Sequence, residues 1–199
     1  MENEYLRTNH WIDAVASLEA AQEFCARVSL DEHQWKWVLI AVHSAVQGFM
    51  ALSLEHGNGL LVLRDDITAK WLKAHESDKA YPGEKMDFFM SLYEKVKSDV
   101  VCCYYGSRKF IAESSHDYSM QKLNELRNDY VHFRPKGWSI ELAGLPTLVL
   151  KCVDVARFLA FDTSTIIWHD SDLRLRAERA FGVVQAELHA LELLYNKES

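Results

Sequence analysis

From Trp37 to Leu54 the chain runs for 18 residues without an aspartate, glutamate, lysine or arginine. A stretch of this kind either spans a membrane or forms the buried centre of a helical bundle. It only just reaches the length of a span, and it carries His43, Ser44, Gln47, Gly48 and Ser53. It also stands alone and lacks basic flanks biased to one side. A central core helix is therefore expected, with no membrane contact.

The rest of the chain fits that helix. At 199 residues it is long enough for one domain with a substantial core, and 49% hydrophobic against 26% charged residues is a globular balance. Three prolines and eight glycines leave room for long helices. The first helix is expected over about Asn9–Val28. Ser29-Leu30-Asp31-Glu32 reads as a capping box, in which Ser29 and Glu32 open the core helix. That helix should end near Leu54, before the breaker Gly57-Asn58-Gly59. Leu60–Leu63 reads as a short strand or a buried loop, and Asp66 as the cap of a short helix through Trp71. Met86, Phe89, Tyr93 and Val96 repeat at helical spacing. Pro146 suits the first turn of a helix reaching about Phe161. Ala177, Phe181, Val184, Leu188, Leu191 and Tyr195 form the seam of a last helix, Leu173–Tyr195. The expected class is all-α: one domain over residues 1–199, a bundle of five or more helices.

The helix before Pro135 carries the candidate chemistry. Capped by Ser115 or Asp117 and running to about Phe133, it has an apolar stripe of Met120, Leu123, Leu126, Tyr130 and Phe133. At roughly 100° per residue, Asn124, Asn128 and His132 line a polar stripe about 160° from the stripe's centre near Leu126 and Tyr130. Arg127 lies between the two faces. His132 falls at the C-terminal end, where the helix dipole favours cationic groups. Arg134 and Lys136 follow at once, a basic knot in a chain of formal net charge −7. That charge argues against a protein that coats nucleic acid nonspecifically, since phosphate neutralisation supplies most of such affinity.

Arg127-Asn128-Asp129-Tyr130-Val131-His132 resembles the signature of the HEPN superfamily (higher eukaryote and prokaryote nucleotide-binding domains). That signature is an arginine, usually followed by a polar residue, with a histidine five to seven positions after the arginine near the end of a bundle helix. The close resemblance covers residues 118–142, and the order of helices around it agrees. It implies a homodimer that cleaves RNA without a metal or other cofactor, in a composite cleft between two protomers. Arg127, Asn128 and His132 would then be catalytic, and Arg134 and Lys136 would bind substrate. Histidine can take a proton from a ribose 2′-hydroxyl or give one to the leaving 5′-oxygen. Arginine can hold the phosphate with two parallel donors. Asn128 would orient the ring or hydrogen-bond the phosphate. A toxin or antiviral defence effector is the compatible setting, with an antitoxin or other protein as partner. The alternative is a catalytically silent helical module for dimerisation or for binding a nucleotide or partner.

Other polar residues have simpler expectations. His43 should be a hydrogen-bonded core histidine. His116-Asp117 and His169-Asp170 read as helix starts with a capping acid. Asp65-Asp66 reads as a solvated helix start. Trp35, Trp37, Trp71 and Trp138 read as core and interface aromatics. Cys25, Cys102, Cys103 and Cys152 lack metal-ligand spacing and read as reduced, buried thiols. With Met1–His10 unlike a signal peptide, a cytoplasmic location is expected.

Overall fold

Seven helices build the fold in the computed structural model, which describes residues 5–55, 57–102, 105–132 and 137–198. They are α1 (His10–Cys25), α2 (Trp35–Leu54), α3 (Asp65–Glu76), α4 (Phe89–Val96), α5 (Ser114–Val131), α6 (Leu145–Arg157) and α7 (Ser171–Glu198). A five-residue π turn, Phe158–Asp162, extends α6. The protein is thus all-α, and among the described residues the only β-type pairing is the bridge between Leu63 and Met86.

The charge-free helix sits where its composition requires. α2 packs against α1, α4, α5 and α6, and Val38, Leu39, Val42, Val46, Phe49 and Met50 are at most 1% exposed. It has the length and hydropathy of a membrane span, but about two thirds of that stretch is buried inside the bundle. Helix α7 packs against α1 and α6, with Ala177, Phe181, Val184, Leu188 and Leu191 all in the same core. Arg176 on α7 makes two hydrogen bonds, of 2.8 and 2.7 Å, to the Glu19 carboxylate on α1. Trp35 donates its indole N–H to the Tyr195 hydroxyl at 3.0 Å, fixing the far end of α7 to the start of α2.

Several helix ends differ from expectation. α2 is opened by Asp31, not by Ser29: the Asp31 carboxylate accepts from the His33 N–H and the Gln34 amide, so a 3-10 turn over Glu32–Gln34 leads into the helix. These two bonds also hold the Asp31 carboxyl below its ordinary value. α3 runs on to Glu76, and Asp66 pairs with Arg64 and Lys70. Leu60–Val62 is a 3-10 turn. Met86 stands outside α4, held in its bridge to Leu63. Trp138-Ser139-Ile140-Glu141-Leu142 alternates with period two and suits a short extended piece after the motif helix, but it has no strand partner among the described residues. Cys25 and Cys152 are buried as expected, Cys102 is exposed, and Cys103 lies outside the described residues.

The tightest helix contact is between α1 and α2, where a Cβ added at Gly48 would come within 2.8 Å of the Ala14 Cβ. Gly48→Val should therefore lower stability by roughly 1–3 kcal/mol, the usual cost of overpacking. The exchange Ala14→Gly with Gly48→Ala should recover most of what Gly48→Ala alone loses. Urea unfolding midpoints of the variants test this.

Candidate functional site

α5 begins earlier than the sequence suggests. Its cap is Glu113, whose side chain accepts from the His116 backbone N–H while the His116 ring accepts from the Glu113 N–H at 3.2 Å. Ser115 and Asp117 are thus not the cap, and His116 is buried against Phe110. His169-Asp170 follows expectation, with the Asp170 carboxylate accepting from the N–H groups of Asp172 and Leu173.

The burial pattern of the helix sets its rotation in the bundle. The buried arc of α5 comprises His116, Ser119, Met120, Leu123 and Leu126, and it is centred further toward Arg127 and Asn124 than a stripe on Leu126 and Tyr130 would be. The expectation that Asn124, Asn128 and His132 share one outward face is therefore corrected. Asn124 turns into the bundle, where its Oδ1 lies 3.2 Å from Nε2 of the buried His43 on α2. Asn128 and Arg127 are half-buried and bonded to each other, Arg127 Nη1 donating to Asn128 Oδ1 at 3.0 Å. His132 alone is exposed, at the helix cap, where its N–H donates to the Asn128 carbonyl at 3.0 Å. Among the described residues its ring makes no hydrogen bond or ion pair. Arg134 and Lys136, expected to bind substrate, lie outside the described residues, as does Phe133.

His43 is the residue whose link to the motif the sequence concealed. Its burial was expected from the charge-free helix, but its partner is 81 residues away in the chain. The ring is 2% exposed and stacks on Phe89 with centroids 4.1 Å apart. Burial pushes its pKa down to about 4 against the opposing pull of the Asn124 hydrogen bond, and the Arg127 cation pushes the same way as burial. The ring is therefore neutral near pH 7. With its proton on Nε2 it donates to Asn124, and the buried Nδ1, which has no partner, carries a lone pair and no N–H.

Arg127 keeps most of its five N–H donors after the one given to Asn128. Arg127 and His132 are roughly 140° apart around the axis at about 100° per residue. A cavity of about 610 Å³ does lie against α5, but on its other flank, between Lys122, Leu126 and Asp129 and the α6 residues Leu145, Leu148 and Lys151. Neither Arg127, Asn128 nor His132 lines it. Asp65 pairs with Lys95 at 3.3 Å, and Asp66 is held by Arg64 and Lys70, in line with a solvated helix start. Trp35 is buried, whereas Trp37 and Trp138 are partly exposed, stacked on Phe24 and set edge-on to Tyr130. Among the described residues no three His, Cys, Asp or Glu side chains are grouped to hold a metal ion. No family model, no curated protein and no solved structure matches the chain.

Neutral burial of His43 has a defined pH signature. The unfolded chain takes up a proton on this ring near 6.5, and the folded chain only near 4. Stability should thus be lost as pH falls from about 6.5 toward 4, by on the order of 3 kcal/mol from this ring alone. His43→Gln, which keeps a hydrogen-bonding group and cannot titrate there, should flatten that part of the profile. Urea midpoints at pH 7 and 4.5 that fall equally in both proteins would contradict it.

Proposed function

We propose that the protein is a cytoplasmic endoribonuclease of the HEPN type, in which Arg127, Asn128 and His132 of two protomers form one cleft. The observation that carries it is the placement of the motif. An arginine with donors to spare and an exposed histidine lie near the end of a helix anchored in the core, and neither lines the cavity against α5; among the described residues the histidine ring has no partner. One helix spreads the two side chains to different flanks, so a phosphate held by Arg127 needs a histidine supplied from elsewhere. A two-fold arrangement of identical helices supplies one from the second copy.

In the proposed reaction one histidine withdraws the proton from a ribose 2′-hydroxyl, and the resulting oxygen attacks the adjacent phosphorus. The bond to the 5′-oxygen breaks, and that oxygen takes a proton from the second histidine. Arg127 holds the non-bridging oxygens as charge builds on them. Asn128 keeps the guanidinium plane in place. Arg134 and Lys136, next in the chain, would add charge for the flanking phosphates. A toxin or antiviral effector is the setting we propose, with an antitoxin as partner. A silent helical module is the second reading, favoured by one feature: both asparagines already bond within the chain, Asn124 to His43 and Asn128 to Arg127.

The purified protein should be a dimer at micromolar concentration by light scattering and should cleave RNA in EDTA. His132→Ala and Arg127→Ala should each slow cleavage by roughly 10²–10⁴-fold, the usual worth of acid–base assistance. Arg127→Lys should fail as well, because an ammonium lacks the planar fork. His132 is exposed, so its loss should change stability by less than about 0.5 kcal/mol. Full activity in His132→Ala would exclude this chemistry, and an inert, folded, monomeric wild type would favour the silent module.

A further inference from the structure

On α3, Lys70, Lys73, Ala74 and Ser77 stand on one face, at the three- and four-residue spacing of neighbouring turns. The helix ends with Asp78 in the left-handed region at φ 50°, and the Lys79 N–H then bonds back to the Ala74 carbonyl at 2.9 Å. This reversal lays Lys79, Ala80 and Pro82 over the same face. They line with it a shallow, open cavity of about 260 Å³ whose lining holds three lysines and no carboxylate.

That composition is unusual for this chain, which has 29 acidic and 22 basic residues. Lys70 has an exposed partner, Asp66, at 3.4 Å. Lys73 and Lys79 make no ion pair or side-chain hydrogen bond among the described residues, and both are exposed. Two of the three lysines thus bring unpaired positive charge to a hollow that no carboxylate lines, and an anion would match it.

An aromatic platform adjoins the cavity. Tyr81, between Ala80 and Pro82, stacks on Trp71 with centroids 4.4 Å apart and planes 12° apart. Its hydroxyl lies 3.0 Å from His75 Nδ1. The ring is held from two sides, yet 53% of the residue is exposed. The cavity is smaller than the roughly 300–1,000 Å³ that encloses a whole small ligand. It suits one phosphate of a chain that continues over the surface.

We propose that the cavity between α3 and residues 79–82 is a second RNA contact, where Lys73 and Lys79 hold a backbone phosphate of a single strand and Tyr81 stacks a neighbouring base. Lysines supply the charge, and an exposed ring supplies a surface that any unpaired base can cover. The proposal rests on RNA being the ligand, as above, and gives the strand a hold remote in sequence from Arg127 and His132.

The test uses the full chain with a ten-nucleotide 2′-O-methyl oligouridine, which cannot be cleaved by 2′-hydroxyl attack, and with sodium tripolyphosphate. Amide chemical shifts are followed at Ala74, Ser77 and Lys79, and affinity by fluorescence anisotropy. The oligonucleotide should move these amides. Lys73→Glu with Lys79→Glu should weaken binding about tenfold and reduce the salt slope by about 1.4, because two lysines no longer neutralise phosphate charge. Tyr81→Ala should weaken binding about fivefold or more. Equal binding by wild type and the double lysine variant would overturn the proposal. So would amide shifts with tripolyphosphate and none with the oligonucleotide, which would mean a site for small anions only. Cleavage of ordinary RNA is scored separately. Cleavage with unmoved Ser77 and Lys79 amides defeats this site alone, and oligonucleotide binding here without cleavage defeats the ribonuclease reading alone.

Discussion

A helix without a charged side chain from Trp37 to Leu54 has little to offer to water, and the other helices of the bundle bury about two thirds of α2. Its neighbours α1, α4, α5 and α6 each give it an apolar stripe. His43 and Ser53 are the buried polar side chains of this helix, and Ser53 is bonded to Thr165. A buried imidazole with an unmet N–H would cost on the order of 1–3 kcal/mol, so the ring needs a partner, and Asn124 of α5 is that partner. The Phe89 ring of α4 covers one face of the imidazole. Three helices thus meet at one polar contact within the core, and that contact sets how α5 is turned.

The motif inherits its geometry from this rotation. Along α5 the side chains pass from half-buried at Asn124, Arg127 and Asn128 to exposed at His132. Asn124 is committed to α2, the Arg127–Asn128 pair is bonded to itself, and His132 is exposed at the helix end. A reactive group placed on a rigid element and supported from behind is better positioned than one on a loop. Neutral His43 also matters here. Were it protonated, it would set a second positive charge near Arg127 in a poorly solvated space, and burial together with that same cation holds its pKa at about 4.

Much of the fold was legible because its signals are local. The charge-free run located α2, Asn9 caps α1 through the Ile12 N–H, and Pro146 stands in the first turn of α6. The α7 seam was visible from spacing alone. What failed depended on choices between nearby residues or on distant partners. Ser29 and Asp31 can both cap, and the carboxylate prevailed because it accepts two bonds at once. Glu113 is not a preferred cap type, and its pairing with His116 depends on a histidine that α6 and Phe110 bury. The rotation of α5 was set by its buried arc and by the His43 contact, which turned Asn124 inward. The motif residues themselves were found by their order in the chain, but no local pattern announces a hydrogen bond across 81 residues. The lysine-lined cavity was hidden for a similar reason: Lys79 reaches Lys73 only because Asp78 turns the chain back.

The proposed chemistry makes the ribose 2′-oxygen the nucleophile, and that has a direct molecular trace. End-group analysis by mass spectrometry, on an RNA of defined sequence incubated with the wild-type protein in EDTA, should find 2′,3′-cyclic phosphate on the upstream fragment and a 5′-hydroxyl on the downstream one. The same RNA with a single deoxyribose at the scissile position should survive intact. Products carrying a 5′-phosphate, or cleavage at the deoxyribose position, would contradict the roles given to Arg127 and His132.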